Sequence, residues 1–169
     1  MIKNMNHFRI ESDDPFRLKK HFKNHGDALL TPHDLFRIAK YLGKTPADVI
    51  EAHCDTYLGP DSRLLLVMSG TESAGDVLTQ ADCDTPAEDS FHTEWTAFIA
   101  ESVPILQDLE RVMPKHIWMG VQGVLGSLLY VYYNTAEEFL PQFLYNLAEG
   151  RRLLNLLQAP LINGGNPYV

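Results

Sequence analysis

LTPHDLFRIAKYLGKTPADVIEAHCDTY, residues 30–57, writes two short helices with their own start and stop signals. Thr31 reads as an N-cap, Pro32 takes the first helical position, and Asp34 falls at N3, where its carboxylate can return to the cap N–H. Leu35, Phe36, Ile38, Ala39 and Leu42 recur at helical spacing, and Gly43 supplies a left-handed stop. The same grammar then repeats. Thr45 is the cap, Pro46 the first helical residue and Asp48 the N3 carboxylate, with Val49, Ile50 and His53 along one side. The stretch therefore predicts a helix–turn–helix pair over residues 32–54.

Composition bounds what can be built around this pair. A chain of 169 residues makes one domain, with or without an appended subdomain, and can bury a sizeable core. With 45% hydrophobic and 10% aromatic residues it reads as globular. A net charge of -8 argues against a large phosphate-binding surface, which needs Lys and Arg to neutralise phosphates. The local basic run Arg17, Lys19, Lys20 and Lys23 reads as a solvated helix face. Residues 1–10 lack the continuous apolar segment of a signal peptide. The longest apolar run, residues 120–133, falls short of the roughly 20 residues a bilayer requires. Two cysteines, Cys54 and Cys83, make no disulfide framework, so a cytoplasmic location is expected.

The rest of the chain reads as mainly α. Residues 1–14 show no period and are expected to be irregular, and residues 15–25 suit a short helix capped by Asp13 or Asp14. Residues 58–62 (LGPDS) form a turn by composition, and residues 63–68 (RLLLVM) suit one strand of a short pair or a buried tether. Residues 69–90 are polar and read as a loop. Phe91, Trp95, Phe98, Ile99 and Ser102 trace a helix face, with a break expected at Pro104 and another at Pro114. A strongly apolar helix is expected over residues 117–133. In it Gly120, Gly123 and Gly126 recur every three residues, which suits a close contact with another helix, within the chain or across a homodimer. Thr135 and Glu138 spell a further capping box, and Phe139, Leu140, Phe143, Leu147, Leu154 and Leu157 carry a last helix to about residue 158, ahead of Pro160.

Chemistry-bearing residues are sparse. Seven histidines and two cysteines invite a metal reading, but zinc needs about four converging ligands and no Cys or His pair is matched by a second pair. Surface histidines and free thiols fit the spacing better. Cys54 next to His53 does not make a nucleophilic dyad, since neighbours on a helix point apart, and Ser62 and Ser69 lack a nucleophile-elbow context. Glu88, Asp89 and Glu94 read as helix-opening carboxylates. The helix pair could enter a DNA groove, yet its second helix offers Asp48, Glu51 and Asp55, which repel phosphate.

ALLTPHDLFRIAKYLGKTPADVIEAHCDTYLGPDS, residues 28–62, resembles the YkgJ-type cysteine-cluster family, small proteins described as zinc- or iron–sulfur-chelating. In that family the helix pair follows a Cys-x-x-Cys-Gly-x-Cys-Cys run and precedes a tyrosine-Gly-Pro-x-Ser phrase. HTEWTAFIAESVPILQDLERVMP (residues 92–114) and LLYVYYNTAEEFLPQFLYNLAEGRRLLNLL (residues 128–157) are similar to the C-terminal helical extension of longer members. The departure is at the metal site. Where the first cluster should stand the chain reads FKNHGDAL (residues 22–29), and after Met68 it passes straight into Ser69-Gly70-Thr71. Only Cys54 and Cys83 can be placed on cysteine positions of the family, with His25 inside the vanished first cluster.

The resemblance implies three regions: residues 1–68 with the helix pair, residues 69–90 where a second cysteine group belongs, and residues 91–169 as the helical extension. It implies a zinc or iron–sulfur role for the family and, for this chain, a degenerate non-catalytic helical scaffold expected to hold no cofactor. The alternatives are a metal-binding protein using Cys54, Cys83 and His25, and an acidic helix–turn–helix module on nucleic acid. The fold expected is mainly α, the helix pair packed on a C-terminal bundle with one short strand pair.

Overall fold

Thr31 accepts a hydrogen bond from the Asp34 N–H at 3.1 Å, and the Asp34 carboxylate accepts from the Thr31 N–H at 3.0 Å. This capping box opens α1, Pro32–Leu42, in the computed structural model of the chain, which describes residues 10–12, 29–59, 61–68, 88–162, 164, 167 and 168. Gly43 closes the helix in the left-handed region at φ 67°, its N–H reaching the carbonyls of Ala39 and Lys40. Helix α2, Pro46–His53, opens on Thr45, whose hydroxyl accepts from the Asp48 N–H at 3.2 Å. The helix pair is thus formed as its sequence signals dictate.

Around it the described residues are mainly helical. Strand β1 is Ile10–Ser12, β2 Cys54–Leu58 and β3 Leu64–Met68; then come α3 Glu88–Val112, α4 Lys115–Gly126 with a π-helical turn Ser127–Val131, and α5 Phe139–Ile162. Strands β2 and β3 pair antiparallel from Cys54 opposite Met68 to Leu58 opposite Leu64, and β1 adds parallel to the far edge of β2. The expected strand pair is therefore present, although its first strand begins directly at Cys54, where the backbone turns extended (φ -124°, ψ 148°). Residues 10–12, expected to be irregular, form β1 instead. The Leu30 N–H donates to the Leu66 carbonyl at 2.8 Å, tying the entry of α1 to this sheet.

Three boundaries depart from expectation. Pro104 lies inside α3 and does not break it. Its missing N–H deprives the carbonyl of Ala100, and both residues are exposed, so water can take that acceptor. Pro160 likewise sits inside the last turns of α5. Pro114 does end a helix: its carbonyl accepts from the N–H groups of Ile117 and Trp118 as α4 begins. Third, Thr135 is no cap. The reversal into α5 is held by Gln142, whose side chain accepts from the Asn134 N–H and donates to the carbonyls of Asn134 and Glu138. Asn146 donates to the Tyr132 carbonyl at 2.9 Å. The short helix expected over residues 15–25 and most of the polar loop lie outside the described residues.

The glycine expectation is corrected at Gly120. Gly120 is exposed, and a Cβ there would meet nothing within 4 Å. Gly123 and Gly126 are buried. A close approach is seen at Gly150 on α5, where a Cβ would lie 3.3 Å from Leu125 Cδ1 and 3.6 Å from the Phe98 ring.

The core is an aromatic cluster. Phe139, the first residue of α5, has ring neighbours from α1 (His33 at 4.7 Å, Phe36 at 5.2 Å), from α3 (Phe91 at 5.5 Å), from the segment after the π turn (Tyr133 at 5.3 Å) and from its own helix (Phe143 at 5.3 Å). The helix pair is thereby packed onto the C-terminal helices. Two substitutions separate hub from bystander. Phe139→Ala is expected to cost about 3–5 kcal/mol, read by chemical denaturation. Gly120→Ala is expected to be neutral or to stabilise by up to about 1 kcal/mol, because it adds helix propensity in open space.

Candidate functional site

Of the three expected metal donors, only Cys54 lies among the described residues; His25 and Cys83 lie outside them. Cys54 is a free cysteine, half-buried, at the junction of α2 and β2. Burial, reinforced by the neighbouring Asp55 carboxylate, pushes its thiol from 9.0 up to about 12. Among the described residues no group of three or more His, Cys, Asp and Glu side chains gathers as a metal site. His53 points its Nε2 to within 3.4 Å of the Lys44 ammonium, and His92 and His116 are exposed. His33 departs from the surface-histidine reading: it is buried, stacked on Phe139 and tilted against Phe91 at 5.3 Å. Helix α2 exposes Asp48 and Glu51, an acidic face unsuited to phosphate.

A polar constellation that sequence reasoning did not single out lies at the tip of the β2–β3 hairpin. Ser62 is buried and adopts the left-handed region at φ 66°, the sole non-glycine to do so among the described residues. Its hydroxyl donates to Glu110 on α3, and its carbonyl accepts from Gln122 Nε2 on α4 at 2.6 Å. The backbone closes around it, with the Gly59 N–H donating to the Arg63 carbonyl and the Ser62 N–H to the Gly59 carbonyl. Arg63 pairs with Asp61 through Nε at 2.6 Å. The hairpin is thus pinned to two helices by groups 48 and 60 residues away in sequence.

Gln122 is 1% exposed. Since a carbonyl can only accept, the contact with Ser62 fixes which end of the amide is nitrogen. The other end, Oε1, is buried with no hydrogen-bond partner among the described residues. Gln122 lines a small cavity of about 20 Å³, shared with Arg63, Trp95, Ser102, Gly126 and Tyr130. Burial holds the Tyr130 hydroxyl well above the ordinary tyrosine range, with the Arg63 guanidinium pulling the other way. The only sequence signal for this place was the LGPDS turn; the Gln and the Ser are each unremarkable in isolation.

Comparison of the chain with family models, with curated proteins and with solved structures returns no match.

The state of Cys54 has a direct readout. A thiol at about 12 is almost entirely protonated at pH 8, and the thiolate is the nucleophile. In a Cys83→Ser background, alkylation of Cys54 at pH 8 is expected to be slower by roughly tenfold or more in the folded chain than in urea. The same shift sets a pH dependence. The folded thiol keeps its proton above the pH at which the unfolded one loses it, so this contribution to stability is present below about pH 9 and declines as pH rises toward 12.

Proposed function

We propose that this chain is a YkgJ-like helical scaffold whose own metal centre has been lost, and that it does not act as a catalyst. The observation that supports this reading is the state of Cys54. It is the one family cysteine position among the described residues, and burial keeps it as a neutral thiol, whereas zinc and iron–sulfur clusters are held by thiolates. A metal arriving there would have to displace that proton in a half-buried site.

The packing supports the same reading. The helix pair and the hairpin that follows it, the parts that carry the resemblance, share one apolar core with α3, the π turn and α5. A core of this kind supplies the folding free energy that a structural metal provides in smaller domains.

The test is elemental analysis of the purified chain together with melting curves with and without a chelator. Less than one equivalent of zinc or iron per chain is expected, with no change of melting temperature on chelation. One firmly bound zinc per chain, with a large drop in melting temperature on chelation, would favour a rebuilt site using Cys83 and His25.

A further inference from the structure

Three features of unusual chemistry converge on the cavity beside Gln122. The first is the buried Gln122 Oε1, an acceptor without a partner among the described residues, whose desolvation is costly while it stays unmet. The second is the π-helical turn Ser127–Val131, a backbone irregularity common at functional sites, which places Leu129 and Tyr130 on the cavity wall. The third is Ser62, a left-handed non-glycine held in place by Gln122 itself. Each arises from a different element, and the cavity lies where they meet.

The cavity alone has room for about one heavy atom. Beside it, between α3 and α5, lies a half-open groove of about 240 Å³. Phe98 and Ser102, one helical turn apart on α3, wall both spaces. The groove floor is apolar, formed by Phe98, Ile105 and Leu154, with the Glu101–Arg151 ion pair and Asn155 at the rim. An apolar space of about 150 Å³ is known to take a benzene-sized molecule, so the groove accommodates a single ring or its branched aliphatic equivalent. An apolar compartment with a fixed polar point beside it is the usual build of a small-molecule site.

The polar groups define the head of the occupant. Gln122 Oε1 requires a donor. Ser102, 2% exposed, already gives its hydroxyl hydrogen to the Ile99 carbonyl and so presents only acceptor lone pairs. A carboxylate would face these two acceptors without a proton to offer and would be left with the Arg63 guanidinium as its donor. An ammonium group would face the Arg63 guanidinium, which lines the same cavity. A neutral hydroxyl meets both demands: it donates to Gln122 Oε1 and can accept from a guanidinium hydrogen of Arg63, whose Nε–H is committed to Asp61. We infer that the groove and cavity together form a binding site for a small neutral molecule with a one-ring apolar body and a terminal hydroxyl, the hydroxyl seated on Gln122. This inference is independent of the metal-free scaffold reading and does not rest on it.

The experiment titrates phenol and its hydroxyl-free counterpart toluene into the full isotopically labelled chain, following backbone amide signals of Phe98, Ser102 and Gln122. Phenol is expected to shift these signals saturably and to bind about tenfold or more tighter than toluene, since a site built to hydrogen-bond a hydroxyl rejects the analogue lacking it. Gln122→Met should bring the two ligands to within about twofold of each other. Asn155→Trp, at an exposed rim position, should block both ligands without touching the cavity, and it keeps the test decisive if Gln122→Met fails to fold. Equal affinity for phenol and toluene in the unaltered chain, or no saturable binding of either, would overturn the inference and leave the cavity as a site for a single water molecule.

Discussion

The stacking of rings around Phe139 is the constraint on which the arrangement of helices depends. Phe139 stands at the first residue of α5, where the backbone has just reversed, and its ring meets side chains from three other parts of the chain. Aromatic pairs of this geometry add about 0.5–1.5 kcal/mol each beyond the area they bury. The more important effect is geometric. A planar ring in contact with several others leaves little freedom for any of the helices that carry them to slide, because packed interiors tolerate few voids. His33 takes a place in this cluster, buried and stacked on the Phe139 ring.

A second, polar constraint works near the other end of α3. Left-handed backbone at a non-glycine residue costs on the order of 1–3 kcal/mol and persists only when the surroundings fix it. Ser62 is so fixed: its hydroxyl, carbonyl and N–H all have partners, on α3, on α4 and within the hairpin loop. The aromatic cluster sets how the helices lie, and the Ser62 contacts set where the hairpin tip docks on them. Gln122 links the two, since it shares a cavity with Trp95 and Tyr130, whose rings pack edge to face at 6.2 Å.

How much of this was legible in the sequence follows from the range of the interactions. Local signals were sufficient where partners lie within four residues: the Thr31–Asp34 box, the Thr45 cap and the Gly43 stop all form as their spacing implies. They failed where a distant group competes. Thr135 and Glu138 spell a capping box, yet Gln142 and Asn146 take over that turn from the far side. Strand β2 was hidden because Cys54–Leu58 follows a helix without a turn signal and its partner strand supplies the reason to extend. Pro104 was read as a break on steric grounds, but an exposed carbonyl makes the loss of one hydrogen bond tolerable. The cavity was the least visible of all, since Ser62, Ser102 and Gln122 are ordinary residues until tertiary contacts assemble them.

The clamp on the reversal before α5 also imposes an order on how the chain is completed. The carbonyls of Tyr132 and Asn134 are held by side chains at positions 146 and 142, which follow them in synthesis. A polypeptide growing from its N-terminus thus reaches the end of the π turn with only local bonds, such as the Ala136 N–H to Asn134 Oδ1, to hold the bend, and the aromatic face of α3 waits uncovered for Phe139 and Phe143. The bonds from α5 side chains close only after its second turn has emerged. For this protein the last helix is the closing piece of the domain, and a chain interrupted shortly before residue 142 would carry most of its core residues without the part that locks them together.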